Sequence, residues 1–188
     1  MKYLLPLLVI LFLFPISGGC AITKKFGPYY GNVIDTETKE PIEGAAVLVV
    51  FYTEEYGPAG AITRFADALE TVTDKKGEFK IPVHRITTFR PLQGWVKYGY
   101  FTIFKPGYGC YPEHKDAKPM FVPNRTLPED KKVTIELPRL RTREERLRNT
   151  DCFPLGIPDV KMKTLIELNN IERINLGLEP THIKETGK

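Results

Sequence analysis

Serine is almost missing from this 188-residue sequence, in which Ser17 is its only occurrence. A serine hydrolase depends on a serine hydroxyl that a histidine activates, and Ser17 lies in a segment that is expected to be removed. The sequence also lacks a nucleophile elbow, a glycine-rich phosphate loop and a paired-cysteine metal motif. These absences predict a protein that is not an enzyme and needs no cofactor.

Histidine is scarce as well, and the three histidines show no strong metal-ligand spacing. His182 and Glu185 form a His-x-x-Glu pair of the kind that zinc carboxypeptidases use, but no third ligand follows, and two ligands would bind zinc weakly. Glu113, His114 and Asp116 could hold a cation on a loop, although a solvated turn explains them as simply. No metal site is predicted, and a cryptic metal-dependent hydrolase is kept as the least favoured alternative.

The excess of positive charge is small. The net charge is +4 for the whole sequence and falls to +3 when Lys2 is removed with the N-terminal segment, which does not indicate nucleic-acid binding. Five arginines and two glutamates lie between positions 139 and 148. We expect this cluster to be a helix face that pairs internally at i, i+4 spacing, with anionic lipid or a partner's carboxylates as the alternative target.

The long apolar run of the sequence extends from position 3 to position 16. As a helix it would be about 21 Å long, short of the roughly 30 Å hydrocarbon core of a bilayer, so residues 1–19 are expected to be a cleaved signal peptide. The small residues at 17–19, placed before Cys20, resemble a bacterial lipobox. That resemblance implies acylation of Cys20 and an exported, membrane-anchored lipoprotein, and Ala21 resembles the signal for transfer to an outer membrane. Cleavage without lipidation is the alternative.

Cysteine occurs three times. With Cys20 assigned to the anchor, Cys110 and Cys152 remain as an even pair in an oxidising compartment, which predicts a disulfide between them. Closing their 42-residue separation would stabilise the fold by about 4 kcal/mol on the chain-entropy model. Two unrelated buried thiols are the alternative.

Short runs of β-branched and aromatic residues between turn residues predict a mainly β protein. The segment from 54 to 68 lacks a clean period and carries Gly57 and Gly60, which indicates a long loop. The residues from 74 to 77 predict a tight turn that makes a hairpin of the strands on either side. The expected strands are 29–35, 45–53, 69–73, 78–82, 95–104 and 133–137, with a short edge strand at 119–122.

Beyond position 138 the pattern becomes helical. Thr142 and Glu145 have capping-box spacing and predict a short helix that ends at Arg148. A second helix is expected over 159–176, with Gly177 as its stop. We expect its apolar stripe to pack against the flank of the β domain. The stripe consists of Val160, Leu165, Leu168, Ile171 and Ile174.

Four short segments, in this order and spacing, resemble the carboxypeptidase regulatory-like domain family. They are GNVID at 31–35, PIEGAAV at 41–47, TD and GEF within 73–79, and KPGY at 105–108. The resemblance implies a Greek-key, transthyretin-like β-sandwich of about seven strands, which is commonly a non-catalytic module of exported proteins. The expected division of the chain is a signal peptide at 1–19, a tether at 20–28, the sandwich at 29–138 and a helical C-terminal extension at 139–188.

The expected function is binding or scaffolding of protein partners in the cell envelope. The segment 54–68, a sheet edge or the C-terminal helix would supply the surface, and one of them should expose an apolar patch. The alternative is carbohydrate recognition, because aromatic rings can stack on sugars. The rings available for it are Trp95, Tyr98, Tyr100, Tyr108 and Tyr111.

Overall fold

The computed structural model describes residues 21–58, 60–90, 93–119 and 126–182. The expected signal peptide, the expected acylation site Cys20 and most of the expected edge strand at 119–122 lie outside these residues. Strands make up 43% of the described residues and helices 14%, so this part of the protein is mainly β, as the sequence predicts.

The described residues contain nine strands and two α-helices. The strands are β1 (Ala21–Phe26), β2 (Tyr29–Asp35), β3 (Ala46–Gly57), β4 (Gly60–Val72), β5 (Glu78–Ile81), β6 (His84–Phe89), β7 (Gly94–Trp95), β8 (Tyr100–Phe104) and β9 (Lys132–Leu137). The helices are α1 (Arg143–Arg148) and α2 (Lys163–Asn175), and a 3-10 helix at Asp159–Lys161 precedes α2.

The strands form three open sheets. One has the order β5-β2-β9, in which β2 pairs antiparallel with β5 and parallel with β9. In the second, β3 pairs antiparallel with β4 on one side and with β7 and β8 on the other. The third is a two-stranded antiparallel ribbon of β1 and β6. We call it the ribbon.

The main core lies between the first two sheets and takes side chains from both. Val33 of β2, Val47 of β3 and Ile135 of β9 are fully buried in it. A second cluster covers the opposite face of β3, where Leu48 and Val50 pack with residues of the C-terminal extension. Both faces of β3 are therefore buried, as its continuous apolar run predicts.

The predicted turn between Asp74 and Gly77 is present, but it does not close a hairpin. The Gly77 amide donates to the Asp74 carbonyl over 2.8 Å, and Gly77 has a φ of +70°, which favours glycine. The strands on either side, β4 and β5, belong to different sheets. The expected hairpin is thus wrong. The turn residues determine only that the chain reverses direction here, whereas packing in the core determines which strand each neighbour pairs with.

The segment predicted as a loop over 54–68 is instead a long hairpin. β3 and β4 remain paired out to Gly57 and Gly60, and the register shifts once, next to Phe51. Beyond Thr53 most side chains are solvent-exposed. Apolar residues do not alternate with polar ones here because neither face of this part is buried. Such alternation indicates that one face of a strand is buried and does not indicate whether the strand is paired. We call the outer part, Thr53–Gly57 with Gly60–Arg64, the arm.

The expected tether over 20–28 is also different in the structure. Residues 21–26 form β1 and pair along their length with β6, from Ala21 opposite Phe89 to Phe26 opposite His84. β6 was not predicted, and its mixed sequence HRITTF buries only Ile86. A strand in a two-stranded ribbon needs little apolar content, so the sequence gives it a weak signal.

The expected long strand over 95–104 is divided. β7 and β8 both pair with β3, and after the Val96 amide, which donates to the Tyr52 carbonyl at 3.1 Å, the chain leaves the sheet until Tyr100. At Gly99 an added Cβ would lie 2.6 Å from a methyl of Val49, so the backbone there approaches the core more closely than a side chain would allow.

The C-terminal extension begins as predicted, with a capping box at Thr142 and Glu145. The predicted disulfide is present between Cys110 and Cys152. It fastens the chain after α1 to the chain that follows β8. The expected α2 region is split into the 3-10 helix and α2, and Gly177 follows with a φ of +74°.

The buried face of α2 differs from the predicted stripe. Val160, Ile171 and Ile174 are exposed, and the helix buries Leu165, Ile166, Asn169 and Glu172. The prediction assumed that apolar residues choose the buried side. Here Arg146 pairs with Glu172, so the Glu172 carboxylate can lie on the buried face of the helix. Ile171 and Ile174 lie on the solvent-exposed face.

Candidate functional site

The five aromatic residues considered for sugar stacking do not form one platform. Tyr111 is fully buried, its hydroxyl has no hydrogen-bond partner among the described residues, and burial raises its pKa to about 12. Trp95 packs edge-on against Phe26 in the core. Tyr108 accepts a hydrogen bond of 2.8 Å from Arg139. These three rings serve packing and local pairing.

The other two rings, Tyr98 and Tyr100, are half-buried, and Tyr100 lies in a shallow cleft. Its ring meets that of Tyr52 edge-on at 5.6 Å between centroids. The cleft has a volume of about 390 Å³ and is also lined by Thr63 and Thr102. It therefore combines two aromatic rings with two hydroxyl-bearing side chains. Tyr52 was not considered from the sequence, since its strand reads as core throughout.

A larger cleft of about 880 Å³ lies where the β domain meets the C-terminal extension. His114 lines it, and its Nδ1 accepts the Asp116 amide at 3.3 Å. Glu145 also lines it, and hydrogen bonds from the backbone at Thr142 and Arg141 lower the pKa of that carboxyl. Both side chains are thus occupied in holding local structure.

No group of three or more histidine, cysteine, aspartate or glutamate side chains converges as a metal site anywhere in the described ranges. His114 Nδ1 lies 4.0 Å from Asp116 Oδ2. His84 is not part of this group, because its ring pairs with Asp67 of β4. Glu185, the partner of His182 in the His-x-x-Glu match, lies outside the described residues.

The arginine cluster pairs internally, though not in the predicted way. Arg139 lies 3.4 Å from the buried Asp35 carboxylate, and Arg141 pairs with Glu37. Arg146 makes two hydrogen bonds, of 2.7 and 2.6 Å, to the buried Glu172. These partners come from β2, the turn after it and α2, instead of one helix face at i, i+4. The extension is therefore attached to the β domain by charge as well as by the disulfide.

Asp67 connects the extension with the ribbon, and no motif in the sequence indicates this role. It lies beside the register shift of β4 and bonds to His84 of β6 at 2.9 Å and to Lys161 of the 3-10 helix at 2.7 Å. Partial burial opposes its ionisation, but hydrogen bonds from Lys161, His84 and the Ala68 amide outweigh burial and lower the pKa of Asp67.

The base of the arm is braced by a polar network. Arg90, which follows β6, donates to Thr53 Oγ1 and to the Phe65 carbonyl, both at 2.9 Å. The Thr53 hydroxyl donates to Gln93 at 2.7 Å. Beyond this brace Tyr56 is 74% exposed and Ile62 is 56% exposed. The arm is a paired extension that holds two large apolar side chains in solvent.

The outward face of α2 is another exposed apolar surface. Ile171 and Ile174 are neighbours at i, i+3 spacing, and Ile174 is 60% exposed. The helix is held at its start by Glu70, whose carboxylate accepts the Thr164 and Leu165 amides at 2.8 and 2.6 Å. Arg143 bonds the Leu176 carbonyl at its other end.

Comparison with family models, with curated proteins and with solved structures finds no match to this chain. Among the described residues, none of the helices has the length and apolar content needed to cross a bilayer.

Proposed function

We propose that this protein is an exported, lipid-anchored envelope component whose β domain is a non-catalytic binding or scaffolding module for a protein partner. The anchor would be acylated Cys20, as the lipobox resemblance implies. The binding surface would be the outward face of α2, around Ile171 and Ile174.

The observation that carries the proposal is a rigidly mounted helix with exposed isoleucines. Apolar side chains on a fixed surface gain binding energy without the cost of ordering a flexible segment. α2 meets this condition, because Glu70 holds its first turn and the ion pair of half-buried Arg146 with buried Glu172 holds its last. The charge pair keeps the isoleucines on the outside.

Several features support a transthyretin-like Greek-key sandwich of the carboxypeptidase regulatory-like type. Apart from the ribbon, the two sheets that share the main core contain seven strands among the described residues. Gly44 and Gly77, two glycines of the resembling segments, have φ of +68° and +70° at the turns. An experimental structure with a different strand order would contradict this assignment.

The binding surface is tested by capture from solubilised envelope membranes. Replacing Ile171 and Ile174 by aspartate should abolish retention of the partner, because a charge in an apolar contact is left without a counter-charge. Val83→Asp is a matched control, since Val83 is equally exposed but lies before β6. An unchanged set of retained proteins from the double variant would contradict the proposal.

The anchor is tested by mass spectrometry of protein extracted from membranes. Acyl chains are expected on the N-terminal cysteine of the mature chain, and Cys20→Ala should abolish them and release the protein from the membrane fraction. An unmodified Cys20 thiol would refute the anchor while leaving the helix surface intact.

Carbohydrate recognition is the second candidate, favoured by the cleft that holds Tyr52 and Tyr100 beside Thr63 and Thr102. A glycan-array signal that Tyr100→Ala removes would support it. A signal that survives this change would place any sugar site elsewhere.

A further inference from the structure

The exposed face of the ribbon carries two cations in an arrangement that disfavours folding. Lys25 of β1 stands directly opposite Arg85 of β6. Both are exposed, and neither has an acidic partner within ion-pair distance among the described residues. Like charges directly opposite each other on paired strands are destabilising. Such a local conflict is expected where an external ligand compensates for it.

The same face becomes apolar toward the start of the described chain. After the Lys25 and Arg85 pair comes Thr23 opposite Thr87, with their hydroxyls 2.9 Å apart, and then Ala21 opposite Phe89. Phe89 is 66% exposed. The ribbon thus changes from basic to neutral to apolar over five residues, or about 13 Å at 3.3 Å per residue.

The apolar end of the ribbon and the arm lie at the same end of the molecule. β6 starts beside Asp67 of β4, where His84 bonds the carboxylate, and runs toward the arm, where Arg90 bonds the base at Thr53 and Phe65. The arm then extends outward with an uncharged outer part. Its nearest charges are Glu55, which stands opposite Ile62 and lies 3.8 Å from Arg64, and Glu54, whose carboxylate accepts a hydrogen bond from the Tyr56 hydroxyl.

We propose that this end, formed by the exposed face of the ribbon and the outer arm, rests on an anionic lipid surface. Lys25 and Arg85 meet lipid phosphates, and Phe89, Tyr56 and Ile62 enter the interfacial layer, where aromatic residues are favoured. The inference rests on the proposed anchoring, because Cys20 directly precedes Ala21 in the sequence. An acyl anchor at Cys20 would bring Ala21 and Phe89 to the bilayer with no spacer.

A lipid surface fits this end better than a folded protein partner does. A protein patch that binds two adjacent cations must supply placed carboxylates and an apolar pocket on the same surface. A bilayer supplies phosphates above hydrocarbon in this order, which is the order of the ribbon from Lys25 to Phe89. Three of the five arginines of the extension, by contrast, are already paired with Asp35, Glu37 and Glu172.

The test uses the mature chain with Cys20→Ser, so that binding does not depend on acylation. Sedimentation with vesicles that contain phosphatidylglycerol should show binding that weakens with salt, and vesicles of phosphatidylcholine alone should bind much less. Lys25→Glu should weaken binding to the anionic vesicles at least about tenfold, because each basic charge near such a surface contributes about a factor of five.

The same substitution separates this proposal from a purely structural role. Lys25→Glu faces Arg85 with an opposite charge, so the melting temperature should rise while vesicle binding falls. Lys75→Glu makes the same change in net charge in the turn beyond the other end of β4, and it should alter vesicle binding less than about twofold. Binding that Lys25→Glu leaves unchanged, or no binding of the unmodified ribbon to anionic vesicles, would overturn the proposal.

The arm is tested by an environment-sensitive fluorophore on an introduced cysteine. In the Cys20→Ser chain the two native cysteines are joined, so Ile62→Cys is the single free thiol. On anionic vesicles its emission should shift to the blue, whereas a label at Ile171→Cys on α2 should not respond. Equal emission shifts at both positions would contradict the proposal that the arm faces the membrane. Because the test uses Cys20→Ser, its outcome does not depend on whether Cys20 is acylated in the cell.

Discussion

Three arginines of the C-terminal extension and two cations on the exposed face of the ribbon have opposite surroundings. Arg139, Arg141 and Arg146 each meet a carboxylate from another part of the fold. Lys25 and Arg85 face each other, and neither has an acidic partner among the described residues. A dense run of arginines in a sequence therefore says little about an available basic surface, whereas two basic residues sixty positions apart can form one. Four sets of substitutions test this contrast.

Removing the disulfide should have the largest effect on the extension. The double variant Cys110→Ala with Cys152→Ala should lower the free energy of unfolding by about 4 kcal/mol, because the unfolded chain regains the freedom of a 42-residue loop. Denaturant unfolding at neutral pH measures this loss. A loss below about 1 kcal/mol would show that the charge pairs hold the extension without the disulfide.

Breaking the buried charge pair should be the next largest change. Arg146→Ala should cost about 3 kcal/mol, because Glu172 is 1% exposed and would be left as an uncompensated buried charge. Arg148→Ala on the same helix is the matched control. Arg148 is exposed, so its removal should cost less than about 0.5 kcal/mol. Similar losses for the two variants would mean that Glu172 is rehydrated at little cost.

Asp67 connects the extension with the ribbon, and its substitution should lower the free energy of unfolding by a smaller, pH-dependent amount. Asp67→Asn should cost about 1.5 kcal/mol at neutral pH, because the charged hydrogen bonds to Lys161 and His84 are weakened. The folded protein lowers the pKa of Asp67, so this stabilisation is complete above the ordinary pKa of aspartate, about 3.9. It is lost as the pH falls through the lower folded value.

Unfolding curves at a series of acidic pH values check this sign. The difference in stability between the unsubstituted protein and Asp67→Asn should shrink below about pH 4. A difference that grows on acidification would contradict the lowered pKa.

Reversing the charges of the ribbon should have the smallest effect on stability. Arg85→Glu should raise the free energy of unfolding by about 0.5 kcal/mol, since it places an opposite charge across from Lys25. Adding Lys25→Glu should cancel the gain, because two like charges again face each other. A double-mutant cycle by thermal unfolding measures the coupling, and additive effects would mean that the two side chains do not interact.

The parts of the fold that could be predicted are those with a strong local cause. β2 was predicted with its observed bounds, because alternating residues from Tyr29 to Asp35 face the core. The start of α1 at Thr142 follows from hydrogen bonds within four residues. The pairing of Cys110 with Cys152 follows from counting, once a third cysteine has another assignment.

The parts that were missed depend on distant residues or on the absence of burial. The arm and β1 carry no apolar period, because solvent covers much of both. The inward face of α2 depends on Arg146, which the sequence does not connect to Glu172. The candidate surfaces share this limit, since the opposition of Lys25 and Arg85 appears only when the strand register is known.

The parallel pairing of β2 with β9 constrains how the chain matures. Asn32 and Thr134 are neighbours across this pair although 102 residues separate them. As synthesis proceeds from the amino end, β2 emerges long before the strand that completes its sheet, and closing such a distant contact is slow. In the meantime one side of β2 is an unpaired edge, open to mispairing with other chains. The nascent chain is therefore most prone to mispairing between the synthesis of β2 and that of β9, and this is when binding by a chaperone would be most useful.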